Sequence, residues 1–132
     1  MLFRSWLADG LREQALVCQD WLRAALATPF DGPTVVVTHF APSLHSADPR
    51  YGLVPGTAGF CNALDELLPY AQLWLHGHLH APSDYRVGHC RVVANPLGYA
   101  RKNEQLGYRP EDRKSTRLNS SHSQQSRMPS SA

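Results

Sequence analysis

No apolar run in this 132-residue sequence comes near the ~18 residues that a membrane span requires. Its apolar content of 42% is ordinary for a globular chain. Cysteine is equally sparse. Cys18, Cys61 and Cys90 are odd in number, far apart and free of any C-x-x-C spacing, so neither a disulfide framework nor a thiolate zinc site is suggested. A G-x-S-x-G elbow is missing too, and no cysteine stands in a recognisable reactive setting. Nucleophilic catalysis by Ser or Cys therefore has no foothold.

An excess of one charge sign disappears once the chain is divided. The formal net charge is +2, but residues 112–132 hold four cations against one acid, and residues 1–111 hold nine against ten. A near-neutral body gives no reason to expect nucleic acid or a membrane as partner. The apolar start, Met1 to Leu7, is broken by Asp9 and Arg12 before it reaches signal-peptide length, and the expected location is cytoplasmic.

Core-forming residues run out at Asp112, where the composition turns Ser-rich and polar, the chemistry of a disordered tail. The runs Asp112-Arg113-Lys114-Ser115-Thr116-Arg117-Leu118-Asn119 and Ser126-Arg127-Met128-Pro129-Ser130-Ser131-Ala132 resemble, in one frame and order, the translation of a common sequencing adapter. We expect residues 112–132 to be an artefactual tail and residues 1–111 to carry the domain.

Within that body, Leu11, Ala15, Cys18, Leu22 and Ala25-Leu26 recur at steps of three and four, which predicts a helix from about residue 10 to 27, ended before Pro29. Asp31-Gly32-Pro33 is turn chemistry. The β-branched run Thr34-Val35-Val36-Val37-Thr38 reads as a central strand buried on both faces. A loop from His39 to about Gly59 follows. Phe60, Leu64, Leu67 and Leu68 suggest a second helix closed by Pro69, and Ala71 to Leu75 a second strand. Tyr85-Arg86-Val87 and Arg91-Val92-Val93 flank Gly88-His89 as a hairpin. The order predicts a layered α/β fold, in which chemistry collects at strand ends.

Both predicted strand ends carry histidine. His39 closes one, and His76-Gly77-His78-Leu79-His80 closes the other. Neutral imidazole suits borderline divalent metals, and converging histidines bind better than single ones, so His39, His78 and His80 are the candidate metal ligands. The metallo-β-lactamase pattern H-x-H-x-D-H fails, because Ala81-Pro82-Ser83 follows His80. His76 reads as part of the strand end rather than as a ligand. His45, Tyr51 and Tyr99 read first as loop polarity and only second as the mouth of a site. Asp31, Asp48, Asp65 and Asp84 read as solvated turn or surface residues.

The segment Val35-Val36-Val37-Thr38-His39-Phe40-Ala41-Pro42-Ser43, followed by Leu73-Trp74-Leu75-His76-Gly77-His78-Leu79-His80, resembles the last two motifs of calcineurin-like metallophosphoesterases. Arg91 to Tyr99 is similar to the strand and loop that follow in many bacterial members. The resemblance spans about residues 10–111 and implies an α/β fold class, specifically the truncated C-terminal half of a four-layer αββα sandwich. It further implies a centre of two divalent metal ions (Mn, Fe, Zn or Ni) acting on a phosphoester substrate. His39 and His78 would match ligands of the second metal, and His80 a ligand of the first.

The family's D-x-H, G-D-x-x-D and G-N-H-D/E motifs are absent, and with them the bridging carboxylate, the Asn ligand and the histidine that assists the leaving group. Phe40 stands where relatives often carry a second histidine. The expectation is a fragment of a phosphomonoesterase or phosphodiesterase that is inactive alone, with an open strand edge where its other half belongs. The alternative is a non-catalytic α/β module with a partial histidine metal site.

Overall fold

The computed structural model describes residues 2–110 of the chain, so the expected tail lies outside the described residues. The fold is mixed α/β, with one α-helix and a four-stranded mixed sheet. Helix α1 spans Leu2–Ala27, and the strands are β1 (Val35–Thr38), β2 (Leu73–His76), β3 (Ser83–Val87) and β4 (Cys90–Ala94). The sheet order is β1-β2-β4-β3, with β1, β2 and β4 parallel and β3 antiparallel to β4. No helix among the described residues is long and apolar enough to cross a membrane.

Helix α1 begins earlier than its apolar spacing predicts but ends where Pro29 requires. Its last turn is closed by the Thr28 N–H donating to the Ala25 carbonyl (3.2 Å) and the Thr28 hydroxyl donating to the Ala24 carbonyl (3.1 Å). Gln19, Leu22, Arg23 and Leu26 are the partly covered positions among Ala8–Ala27, a single i, i+3, i+4, i+7 stripe. Leu22 and Leu26 pack on the core, Gln19 donates to Asn62 and Arg23 pairs with Glu66. The docked length is short. Leu11, Leu16, Val17 and Trp21 remain exposed.

The larger core cluster lies on one face of the sheet, while Leu73 and Val93 are buried on the other. Register aligns Val36 with Trp74, Trp74 with Val92, and Val92 with Tyr85 across all four strands. Against this row pack Leu64, Leu67 and Leu68 together with Leu22 and Leu26. Trp74 is fully buried, and its indole N–H donates to the Thr38 hydroxyl at 2.9 Å, which satisfies the one polar atom that burial would otherwise strand. The hairpin forms as expected. Val87 pairs with Cys90 across Gly88-His89, where Gly88 takes the positive φ (59°) of a primed hairpin turn.

Two local expectations are corrected. The second helix is a 3-10 segment, Asp65–Tyr70, containing Pro69. Proline has no N–H to extend an α-helix, and the i→i+3 bond from the Leu67 N–H to the Leu64 carbonyl (2.9 Å) puts both leucines on one buried face, leaving Phe60 exposed. Strand β1 is not central and buried on both faces but stands at the sheet edge. Val36 is 6% exposed, whereas Val35 and Val37 on the opposite face are 46% and 71% exposed, because nothing described packs over that side of the strand.

Substitutions on the two faces of this sheet should separate cleanly in urea denaturation. Trp74→Ala removes the largest core side chain and should cost about 3–5 kcal/mol. Val37→Ser should change stability by only about 0.5 kcal/mol, as expected of a surface position. Equal losses at the two positions would contradict the assignment of faces.

Candidate metal-binding cleft

Parallel pairing puts the carboxyl ends of β1 and β2 side by side, with Thr38 opposite His76. His39 and Gly77 continue the alignment, and the Gly77 N–H donates to the His39 carbonyl at 3.1 Å. The chain then turns sharply. Leu79 N–H donates back to the Gly77 carbonyl (2.7 Å) around His78, whose φ is 61°. A non-glycine residue with positive φ at the centre of a three-residue turn is uncommon and strained, and it aims the imidazole out of the strand direction.

That turn brings two of the three candidate ligands into contact. His78 Nδ1 lies 2.9 Å from His39 Nε2, and the rings meet edge to face with centroids 4.9 Å apart. Phe60 stacks on His78 at 5.2 Å, and Phe40 packs against both imidazoles. Burial, then the nearby His39 and His80, hold the His78 pKa below the ordinary histidine value, so its ring is neutral and able to offer a lone pair.

His80 is oriented differently. Its Nδ1 lies 2.8 Å from Glu104 Oε2, and the Tyr99 ring meets its own edge to face at 4.5 Å. The three histidines open on a cleft of about 820 Å³ that Arg50, Tyr51 and Lys102 also line. Tyr51 and Tyr99 thus line the cleft. His45 does not; its ring lies 6.0 Å from that of Tyr85.

His76 faces the other way, into a buried polar cluster. Its Nε2 is 3.0 Å from the Ser46 hydroxyl, which in turn is 2.7 Å from the Tyr85 hydroxyl. Burial lowers the His76 pKa, as expected of an imidazole held neutral in the interior.

The acids divide in a way the sequence reading did not foresee. Asp31 and Asp84 are exposed, Asp84 in an ion pair with Arg91 (2.6 Å), and Asp65 is exposed yet accepts from the Ser43 hydroxyl (2.7 Å). Asp48, expected on the surface, is 7% exposed. It accepts from the Arg50 N–H (2.9 Å) in an Asx-type turn and grips the Arg50 guanidinium at 3.0 and 2.6 Å. Asp48-Pro49 is a turn signal that could have pointed to this. Glu104 had no such signal, since it lies 24 residues beyond His80, at the start of the 3-10 segment Glu104–Gly107.

As a metal site the arrangement is partial. Two nitrogens each about 2.0–2.1 Å from one ion would lie roughly 3 Å apart, so the spacing of His39 Nε2 and His78 Nδ1 fits two ligands of a shared ion. Among the described residues, however, no three His, Cys, Asp or Glu side chains converge as donors. Comparison of the chain with protein-family models, curated proteins and solved structures found no match.

The Asp48–Arg50 pair sets an expectation for acid stability. Chiefly through its hydrogen bonds with the Arg50 side chain, and despite opposing burial, the Asp48 pKa lies below its ordinary value of 3.8. The folded state therefore binds fewer protons at this site than the unfolded state does, and the stabilisation is present above pH ~4 and lost as pH falls through the folded pKa. Asp48→Asn should melt several degrees lower than wild type at pH 7, and the gap should close toward pH 3. A gap that stays constant with pH would contradict this origin.

Proposed function

We propose that this chain is the C-terminal part of a metal-dependent phosphoester hydrolase, with His39, His78 and His80 among its metal ligands, and that it is inactive alone. One observation carries the reading. Two parallel strand ends bring imidazole nitrogens of residues 39 positions apart to 2.9 Å, in a cleft that Arg50 and Lys102 also line. Such a juxtaposition is what the resemblance to metallophosphoesterases calls for, and bare structural packing does not need it.

When two divalent ions are bound, a centre of this kind lowers the pKa of a water and stabilises the charge of an in-line displacement at phosphorus. His39 and His78 would contribute donors to one ion and His80 to the other, with Mn, Fe, Zn and Ni all acceptable to imidazole. Arg50 and Lys102, which line the same cleft, would offer positive charge to a phosphoester. Free carboxylate donors are what the described part of the cleft lacks. Asp48 is committed to Arg50 and Glu104 to His80, so neither is available to bridge two ions.

The open edge supports the fragment reading. Val35, Val37 and Phe30 expose apolar surface beside a side of β1 that no described strand pairs, as expected where a neighbouring strand and layer are missing. A second reading, a non-catalytic α/β module with a weak histidine metal site, is favoured by the absence of a third converging donor among the described residues.

The chain should bind zinc weakly and fail to hydrolyse p-nitrophenyl phosphate at any metal concentration. His39→Ala and His78→Ala should each abolish the zinc-induced shifts of the remaining imidazole signals in NMR spectra. Robust hydrolysis that is lost in His78→Ala would overturn the inactive-fragment reading, and imidazole signals indifferent to millimolar zinc would overturn the metal reading. Upstream DNA encoding D-x-H and G-N-H-D in frame would favour the hydrolase over the module.

A further inference from the structure

The segment after β4 carries Glu104. It delivers a carboxylate into the interior of the cleft wall. The Glu104 side chain is only 2% exposed, yet each of its oxygens has a partner. Oε2 accepts from the Tyr99 N–H at 2.7 Å and meets His80 Nδ1 at 2.8 Å, while Oε1 lies 3.6 Å from the Arg50 guanidinium. A buried acid with this many designated contacts is a held group.

The backbone is shaped to put it there. Asn103 takes a left-handed conformation (φ 57°), which reverses the chain between Tyr99 and Glu104. Gly98 is also left-handed (φ 67°), and a Cβ on it would come within 2.4 Å of Glu104 Cβ. Only glycine permits that approach. Tyr99 then fixes both partners, its N–H on the carboxylate and its ring against the His80 imidazole.

We infer that Glu104 is a positioning residue that holds His80 with its proton on Nδ1 and so presents Nε2 to a divalent metal ion in the cleft. A carboxylate only accepts hydrogen bonds, so the 2.8 Å contact requires the hydrogen on His80 Nδ1, which leaves Nε2 as the nitrogen that can offer a lone pair. Carboxylate–histidine pairs of this kind fix the ring of a metal ligand and raise its basicity, and losing the carboxylate weakens metal binding about 10–100-fold. This inference rests on the metal-ligand reading of His80 in its second half only. The fixing of the tautomer stands on the geometry alone.

The test uses the full 132-residue chain labelled with ¹⁵N, with ring nitrogens read by long-range proton–nitrogen correlation at pH 7.5 without metal, then with zinc. Wild-type His80 should carry its hydrogen on Nδ1. Glu104→Gln, which keeps an acceptor oxygen, should retain that tautomer, whereas Glu104→Ala should lose it and weaken zinc binding about 10–100-fold. Gly98→Ala should displace Glu104 and mimic the alanine variant, which keeps the inference testable if Glu104→Ala does not fold. A wild-type ring protonated on Nε2, or a tautomer unmoved in folded Glu104→Ala, overturns it. A fixed Nδ1 tautomer in a chain that ignores zinc supports the positioning and counts against the metal reading alone.

Discussion

The parallel pairing of β1 with β2 is the constraint on which the site depends. His39 and His78 belong to separate stretches of chain, and only the register that sets Thr38 opposite His76 brings them together. That register is clamped at both ends. At the amino end the Gln72 N–H donates to the Thr34 carbonyl, while the Thr34 N–H donates to the Gln72 side chain. At the carboxyl end the Trp74 indole reaches across to Thr38, and Gly77 bonds to His39. A slip of one residue would turn Trp74 onto the opposite face and leave its indole N–H without Thr38. Core packing and site assembly therefore depend on the same pairing.

The strained backbone at His78 follows from the same origin. A left-handed residue other than glycine costs about 1–2 kcal/mol, so it persists only where its surroundings fix it from both sides. On one side stands the β2 ladder and the Gly77–His39 bond. On the other, Leu79 is 7% exposed and packs with Ala41 and Cys61 in a second small core. Between two anchored neighbours the intervening residue has no choice of direction. Its imidazole is carried outward, against His39 and under Phe60.

Much of this was legible in the sequence, and the exceptions have physical causes. The β-branched run, the hairpin and the three histidines announced themselves through local chemistry. The edge position of β1 did not, because a run of three valines looks the same whether a second layer covers it or is missing. The Asp65–Tyr70 segment misled because Leu64 and Leu67 are three apart, a spacing that α and 3-10 geometry share. Glu104 was invisible for another reason. Its burial depends on Gly98 and Asn103 both turning left-handed, and no pattern of hydrophobicity encodes such a backbone fit.

The run His76-Gly77-His78-Leu79-His80 concentrates the difficulty. As a continuing strand it would set all three histidines on one face, two residues apart and equivalent. The strand ends at His76, however, and the turn at His78 breaks the alternation. His76 keeps the face it shares with Trp74 and enters the buried cluster of Ser46 and Tyr85. His78 meets the imidazole that follows the neighbouring strand, and His80 meets a carboxylate from the segment after β4. One periodic motif thus yields three environments: an imidazole held by hydroxyls in the interior, one paired with another imidazole, and one tied to a carboxylate. Sequence spacing nominates histidines of this kind as a group, but the backbone turn assigns each its partner, and only the two beyond the turn open onto the cleft.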